Sequence, residues 1–202
     1  ATLVEDTYVQ SNEGDVNFDG HEWEVYIRNY SAFGRLGLVQ FTLPQLPAGY
    51  KAGDILGVEL SGVSAWLPAS PKVMSLELLG LAVNPNLTTV TYNDLLDTSG
   101  NGVIAEYSDY AFTYGTQASS LDAMSFDLNS VAIGDTVTFP DQAGGLLGFV
   151  QTNISEAGPT TITLAIGPGD SAANSCDFRF YAMENTAGAS PSARSARTPP
   201  MP

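Results

Sequence analysis

Short stretches in which apolar and polar residues alternate recur along the chain, and Gly, Pro, Asn or Asp bound each of them. Trp23, Val25 and Ile27 alternate with charged or polar neighbours, and residues 124–128 repeat this two-residue period. Other stretches are apolar or rich in β-branched residues, namely 36–41, 55–63, 73–83, 137–139, 160–166 and 178–181. This pattern predicts an all-β sandwich or barrel.

Helical spacing is scarce. Leu146, Leu147, Val150 and Ile154 lie at helix-compatible intervals, which predicts one short helix within residues 141–154. Residues 93–97 are compatible with a single helical turn. The chain shows no internal repeat and no linker between domains.

The composition changes at Ala187. The run AGASPSARSARTPPMP has almost no large apolar residue and three prolines near its end. Segments of this composition cannot bury enough apolar surface to form a core of their own. We therefore predict a β-sandwich domain over residues 1–186 and an extended, exposed tail over residues 187–202.

The chain of 202 residues carries 22 acidic and 7 basic side chains, for a net charge of −15. A field this negative repels phosphate backbones, so we expect no nucleic-acid partner. No apolar run approaches the ~20 residues of a membrane helix, so we expect no membrane insertion. The start at Ala1 without Met, the low Lys content and the acidic balance favour a mature secreted protein, extracellular or at the cell surface.

Catalytic machinery is hard to build from these residues. The chain has one histidine, His21, and one cysteine, Cys176. A site that needs two histidines, or an intrachain disulfide, is therefore excluded. We find no nucleophile–base pair and no phosphate-binding loop. The sequence thus predicts a protein that is not an enzyme, with no catalytic residue.

One local motif suggests a cation. Asp15, Asn17 and Asp19 stand two residues apart and precede Gly20, as in the first half of an EF-hand calcium loop. Tyr26 occupies the twelfth position, where the bidentate carboxylate would stand. A looser Ca²⁺ site with Glu22 as fourth ligand is one hypothesis, and an Asx turn between strands is the favoured alternative.

Several aromatic residues lie in segments typical of loops. Tyr107, Tyr110 and Tyr114 form the most suggestive cluster, and Trp66 lies in a similar context. Such rings can stack on sugars, although packing in the core or at an interface accounts for most of them. Three Asn-x-Ser/Thr tripeptides also occur, beginning at Asn29, Asn86 and Asn153.

Motifs in sequential order resemble those of DNRLRE-type domains. They are Asp6-Thr7-Tyr8-Val9 with Asp15-Val16-Asn17-Phe18, Arg35-Leu36-Gly37-Leu38-Val39-Gln40-Phe41 with Leu46-Pro47, Thr91-Tyr92-Asn93, and Phe178-Arg179-Phe180-Tyr181 followed by Glu184-Asn185. The resemblance spans about residues 4–190. It implies an extracellular, jelly-roll-like antiparallel β-sandwich, and some relatives bind alginate-like polysaccharides.

The chain departs from this family near its end. Ala182-Met183 precedes Glu184 where the family has a serine and a cation, and the small polar tail replaces the closing strand expected after Gly188. A cleft for anionic sugars is hard to build from the few cations of residues 1–186.

Two functions follow. The first is a structural subunit of an extracellular filament, sheath or surface assembly, which self-associates when a tail or terminal strand completes the sheet of a neighbour. Candidate assembly residues of the tail are Ser190, Pro191, Arg194 and Arg197. The alternative is a polysaccharide-binding module that uses the aromatic cluster, with Ca²⁺ as its one candidate cofactor.

Overall fold

The computed structural model describes residues 1–19, 24–30, 33–67, 73–96, 103–108, 111–139, 141, 144–169, 177–181 and 192–195. The strands in this part of the chain are β1 (Thr2–Gln10), β2 (Glu24–Tyr30), β3 (Phe33–Leu43), β4 (Val58–Trp66), β5 (Val73–Leu81), β6 (Ala105–Ser108), β7 (Ala111–Tyr114), β8 (Ala118–Asp127), β9 (Thr136–Phe139), β10 (Thr160–Pro168), β11 (Asp177–Tyr181) and β12 (Ser192–Ser195). Its α-helices are α1 (Tyr92–Leu95) and α2 (Gly145–Asn153), and 3₁₀ turns lie at Ala52–Asp54 and Leu128–Ser130.

All pairs among the described strands are antiparallel, and ten strands join into one curled sheet. Its order is β12-β4-β11-β2-β3-β10-β5-β8, with β1 beside β3 and β9 beside β4, while β6 and β7 form a separate hairpin. The prediction of an all-β, sandwich-like fold with one main helix is therefore confirmed.

Strand β3 connects the two halves of the curled sheet. Along one edge it pairs with β2 at residues 33–35 and then with β10 at residues 37–43. The neighbouring strand changes from β2 to β10 at Gly37, where a Cβ would lie 2.7 Å from Cγ1 of Val25. The missing side chain therefore lets β2 lie close against β3 as the sheet curls.

Two apolar clusters fill the interior. The larger contains Val25, Ile27, Phe41, Phe178 and Phe180 with residues of β4, β5, β9, β10 and α2. The smaller lies beneath α1 and the β6–β7 hairpin, around Leu36, Leu38, Leu79 and Leu95. Successive strand residues point to opposite faces, so neighbours such as Leu38 and Val39 on β3, or Leu78 and Leu79 on β5, belong to different clusters.

Helix α2 occupies most of the stretch in which the sequence predicted one. Asp141 precedes the helix and caps its first turn, because its two carboxylate oxygens accept hydrogen bonds from the backbone N–H groups of Leu146 and Leu147, each at 3.1 Å. These N–H groups have no partner within the helix, so the carboxylate stabilises its first turn. None of the described helices is long and apolar enough to cross a membrane.

Candidate functional site

The tail strand β12 pairs with β4, which makes this edge of the sheet the first candidate site. Ser192 lies opposite Ser61, Ala193 opposite Leu60, Arg194 opposite Glu59 and Ser195 opposite Val58. The other edge of β4 pairs with β9, and β12 also lies against β1. Part of the segment that the sequence predicted as an exposed tail is therefore a strand of the main sheet.

The core beside this edge is incompletely filled. A cavity of about 20 Å³ lies next to the first residues of β4. Apart from Glu59 it is lined by apolar residues, which are Ala1, Phe41, Leu43, Val58, Leu60, Leu146, Val150, Ile162 and Leu164. Space of this size holds at most about one water molecule, so it is a packing gap and not a ligand pocket.

Charge is distributed unequally between tail and body. The tail carries Arg194 and Arg197 and no acidic residue, and all 22 acidic residues precede residue 187. Glu59, which lies across from Arg194, is exposed on β4. The tail is thus electrostatically complementary to the domain on which it lies, whether that domain belongs to the same copy or to another.

A second feature runs across the sheet. Five side chains alternate ring and guanidinium on neighbouring strands in the order Tyr8, Arg35, Tyr26, Arg179 and Trp66, and we call this set the arginine–aromatic ladder. The Arg35 Cζ lies 5.2 Å from the Tyr8 ring centroid and 4.5 Å from that of Tyr26. The Arg179 Cζ lies 4.1 Å from the Tyr26 centroid and 4.6 Å from that of Trp66. The ladder therefore ties β1, β3, β2, β11 and β4 together by cation–π contacts.

Further rings extend the ladder at one end. Phe18 stacks on Tyr8 with 4.4 Å between ring centroids. Phe33 lies beneath both Arg28 and Arg35, at 5.2 and 5.3 Å from its centroid. The contacts beyond the five-residue ladder thus bring Arg28 and the loop after β1 into the same cluster.

Two carboxylates, those of Glu24 and Asp177, pair with Arg28 and Arg179. Arg179 Nη1 lies 3.0 Å from Glu24 Oε2, and its Nε lies 3.8 Å from Asp177 Oδ1. Arg28 Nε lies 3.7 Å from Asp177 Oδ2. Burial raises the pKa of the Asp177 carboxyl, and the nearby arginines offset this only in part.

The ladder limits what this sheet can bind. Five of the seven cations lie in residues 1–186, and Arg28, Arg35 and Arg179 are engaged by rings and carboxylates. Since these guanidinium groups already have partners, the geometry does not present them as a cleft for an anionic sugar. The ladder was not predicted from the sequence, although the position of Arg179 between Phe178 and Phe180 indicates a side chain that points away from the core.

The candidate calcium residues form hydrogen bonds within their own loop and with the segment that leads into α1. Asn17 Nδ2 donates to the carbonyls of Val90, at 2.6 Å, and Leu87, at 3.2 Å, and its Oδ1 accepts the Asp19 N–H at 3.1 Å. Asp15 Oδ1 accepts from Asn93 Nδ2 at 2.7 Å.

Glu22 lies outside the described residues, so the four-ligand site stays a prediction. The described residues contain no group of three His, Cys, Asp or Glu side chains able to hold a metal.

The candidate sugar-stacking rings also have partners within the protein. Tyr107 Oη donates to Asn29 Oδ1 at 3.0 Å, and Tyr114 Oη donates to the Pro168 carbonyl at 3.2 Å. Both rings pack against the smaller core cluster, and Trp66 lies against Arg179.

Tyr110 lies outside the described residues. The stacking function stays a prediction, and the described rings are half-buried.

Of the candidate assembly residues, Arg194 lies in β12, whereas Ser190, Pro191 and Arg197 lie outside the described residues. The register therefore places one of the four beside β4.

No protein-family model matches the chain, and no curated protein matches it. The resemblance to DNRLRE-type domains therefore stays a prediction from the motifs.

Proposed function

We propose that the chain is a non-catalytic, secreted structural protein whose copies join into an extracellular filament, sheath or surface assembly by exchanging strand β12. The observation that carries the proposal is the antiparallel pairing of Ser192–Ser195 with β4. In an assembly, the β12 of one copy would occupy the same place on the β4 of the next. Strand addition of this kind joins subunits through main-chain hydrogen bonds at a sheet edge.

Exchange leaves the contacts of β12 unchanged. The paired segment has four residues, and the preceding strand β11 ends at Tyr181. Residues 182–191 thus separate β11 from β12, a length that gives a strand ample reach to another copy. Because the bonds made within one copy and between copies are the same, concentration and the packing between subunits decide which form prevails.

The composition of β12 supports a role in exchange. Its four residues are Ser, Ala, Arg and Ser, and none is a large apolar anchor. A strand of this kind leaves its sheet without exposing a large apolar side chain of its own. The edge that it leaves contains Val58 and Leu60, which border the packing gap, so an empty edge favours capture of another strand.

The polysaccharide-binding alternative has less support from the geometry. Tyr107 and Tyr114 both donate hydrogen bonds inside the protein and pack on the core. A sugar platform usually presents exposed ring faces. Extracellular assembly is therefore the function that we prefer.

A disulfide test distinguishes pairing within one copy from exchange. We would replace Cys176 by Ser and introduce Ser61→Cys with Ser192→Cys, because these serines lie directly opposite each other. Opposite residues of antiparallel strands lie about 4.5–5.5 Å apart at Cα, within disulfide range. The matched control pairs Ser61→Cys with Ser195→Cys, since Ser195 lies opposite Val58 instead.

After oxidation of assembled protein, the variant with the in-register pair should give a series of covalent oligomers on a non-reducing gel. The control variant should give none. Negative-stain microscopy should show filaments or sheets that vanish when residues 187–202 are deleted. The proposal fails if the chain gives monodisperse particles both with and without residues 187–202, and the variant with the in-register cysteine pair yields only internally crosslinked monomer at every concentration.

A further inference from the structure

The three Asn-x-Ser/Thr tripeptides have different environments in the fold. Asn29 lies in β2 and is 4% exposed, and its Oδ1 accepts a hydrogen bond from the Tyr107 hydroxyl. Attachment of a sugar to its amide would require the β6–β7 hairpin to move away from β2. Asn29 is therefore closed to modification in the folded protein.

Asn153 is also engaged by the fold. It is the last residue of α2, it is half-buried, and its Nδ2 donates to the Phe149 carbonyl at 2.8 Å. Nδ2 is the atom that an N-linked sugar must bond. Modification there would break a hydrogen bond at the end of the helix and place a bulky group against it.

Asn86 differs from both. It is exposed, and its Oδ1 accepts the Thr88 N–H at 3.2 Å and the Thr88 hydroxyl at 2.9 Å. The side chain thus forms an Asx turn over its own tripeptide. Its Nδ2 donates to none of the described residues, so the atom that would be modified is the one the fold leaves available.

The loop that carries Asn86 is fixed from three other segments. Asn84 Nδ2 donates to the Thr161 carbonyl at 3.0 Å, and Gln40 Nε2 donates to the Pro85 carbonyl at 3.2 Å. Asn17 Nδ2 donates to the Leu87 and Val90 carbonyls. Leu87 itself is buried, so the loop is anchored on both sides of the exposed asparagine.

We propose that Asn86 is an acceptor for N-linked glycosylation in the folded protein, and that the oligosaccharide donor is a polyprenyl-pyrophosphate-linked sugar. In the transfer, Asn86 Nδ2 attacks the anomeric carbon, and a C–N bond forms. The bond from that carbon to the pyrophosphate oxygen breaks, the lipid pyrophosphate leaves with the electron pair, and one amide proton is released. No oxidant or reductant takes part. The proposal is independent of strand exchange.

The test uses purified, folded protein with a lipid-linked oligosaccharide and a single-subunit oligosaccharyltransferase that accepts both Asn-x-Ser and Asn-x-Thr. Intact mass and peptide mapping report the modified residue. Synthetic peptides that span the three tripeptides serve as unfolded substrates. Variants Asn86→Gln and Thr88→Ala remove the proposed acceptor and its hydroxyl, and Asn153→Gln is the matched control.

We expect one glycan on the folded protein, at Asn86. All three peptides should be modified, because they carry the tripeptides without the fold. The glycan should be lost from the Asn86→Gln and Thr88→Ala proteins and retained by Asn153→Gln. Folded protein that stays unmodified beside a modified Asn86 peptide would overturn the proposal, and so would equal modification of Asn29 or Asn153 in the folded protein.

Discussion

The guanidinium of Arg179 lies over the ring of Tyr26, with 4.1 Å between Cζ and the ring centroid, and Nη1 also donates to the Tyr26 hydroxyl at 2.7 Å. The two residues lie directly opposite each other on β11 and β2. Strand β11 lies between β2 and β4, so this pair helps to fix the position of the strand that receives β12.

Arg179→Lys should lower the free energy of unfolding by about 1–2 kcal/mol, because an ammonium group lacks the plane that stacks between two rings. Urea denaturation of the variant and the wild type measures the difference. Arg28→Lys is the comparator, since Arg28 stacks on Phe33 and pairs with Asp177 at 3.7 Å. An equal loss in both variants would contradict a special role for the Arg179 stack.

The raised pKa of Asp177 implies a pH dependence with a definite sign. Burial is the largest cause, and Arg28, Arg179 and Arg35 oppose it. A carboxyl whose folded-state pKa lies above its unfolded value of 3.8 stabilises the fold fully below that value, and the contribution is lost as pH rises through the folded-state pKa. Wild type should therefore lose stability relative to Asp177→Asn as the pH rises from below 3.8.

Urea denaturation of both proteins across the acid range, with the difference in unfolding free energy plotted against pH, measures this effect. Glu156→Gln, on an exposed carboxylate, is the control. If wild type instead gains stability relative to Asp177→Asn with rising pH, the arginines dominate over burial and the pKa of Asp177 is lowered by the fold.

Gly34→Ala should loosen the contact between β3 and the β6–β7 hairpin. A Cβ at residue 34 would overlap the Tyr107 ring and lie 2.6 Å from Cε2 of Phe112. Overpacking of this kind costs about 1–3 kcal/mol, which thermal or urea unfolding would detect. Gly57→Ala is a matched control because a Cβ there meets no atom within 4 Å. Similar stabilities for the two variants would show that the hairpin yields easily.

Much of the sheet follows from two-residue periodicity. Val25 and Ile27 on β2, and Phe178 and Phe180 on β11, are core residues as their alternation indicates. The position of the hairpin from Ala105 to Tyr114 did not follow, because its aromatic residues fit a surface loop as well as strands. Packing on the smaller cluster decides between these options.

The candidate sites were harder to predict, because their partners are distant in sequence. Arg179 pairs with Glu24, 155 residues away, and Asn17 with Val90, 73 residues away. An Asp-x-Asn-x-Asp pattern fixes only local spacing, which both a calcium loop and an Asx turn satisfy. Contact with the loop before α1 is a tertiary property that one sequence does not reveal.

Asn17→Asp separates the two hypotheses for this loop. A carboxylate cannot donate to the Leu87 and Val90 carbonyls, so the variant should lose two hydrogen bonds, with a fall in unfolding free energy of about 1–3 kcal/mol. Thermal unfolding with and without millimolar Ca²⁺ is the measurement, and Asp19→Asn is the control. A calcium site would give the opposite result, in which Ca²⁺ brings the stability of the Asn17→Asp variant to or above that of the wild type.

The register of β12 on β4 places Arg194 opposite Glu59, and this permits a charge-reversal test of strand exchange. Arg194→Glu and Glu59→Lys should each favour the unpaired tail and so weaken assembly, because like charges directly opposite on antiparallel strands are destabilising in both the closed and the exchanged form. The double variant restores opposite charges and should recover assembly, which sedimentation at low and high salt, beside microscopy, would measure. Mixing the two single variants adds a further condition, because only exchange between copies lets the tail of the Arg194→Glu variant meet the β4 edge of the Glu59→Lys variant. Recovery in the mixture therefore supports exchange, and recovery in the double variant alone indicates that β12 stays on its own copy.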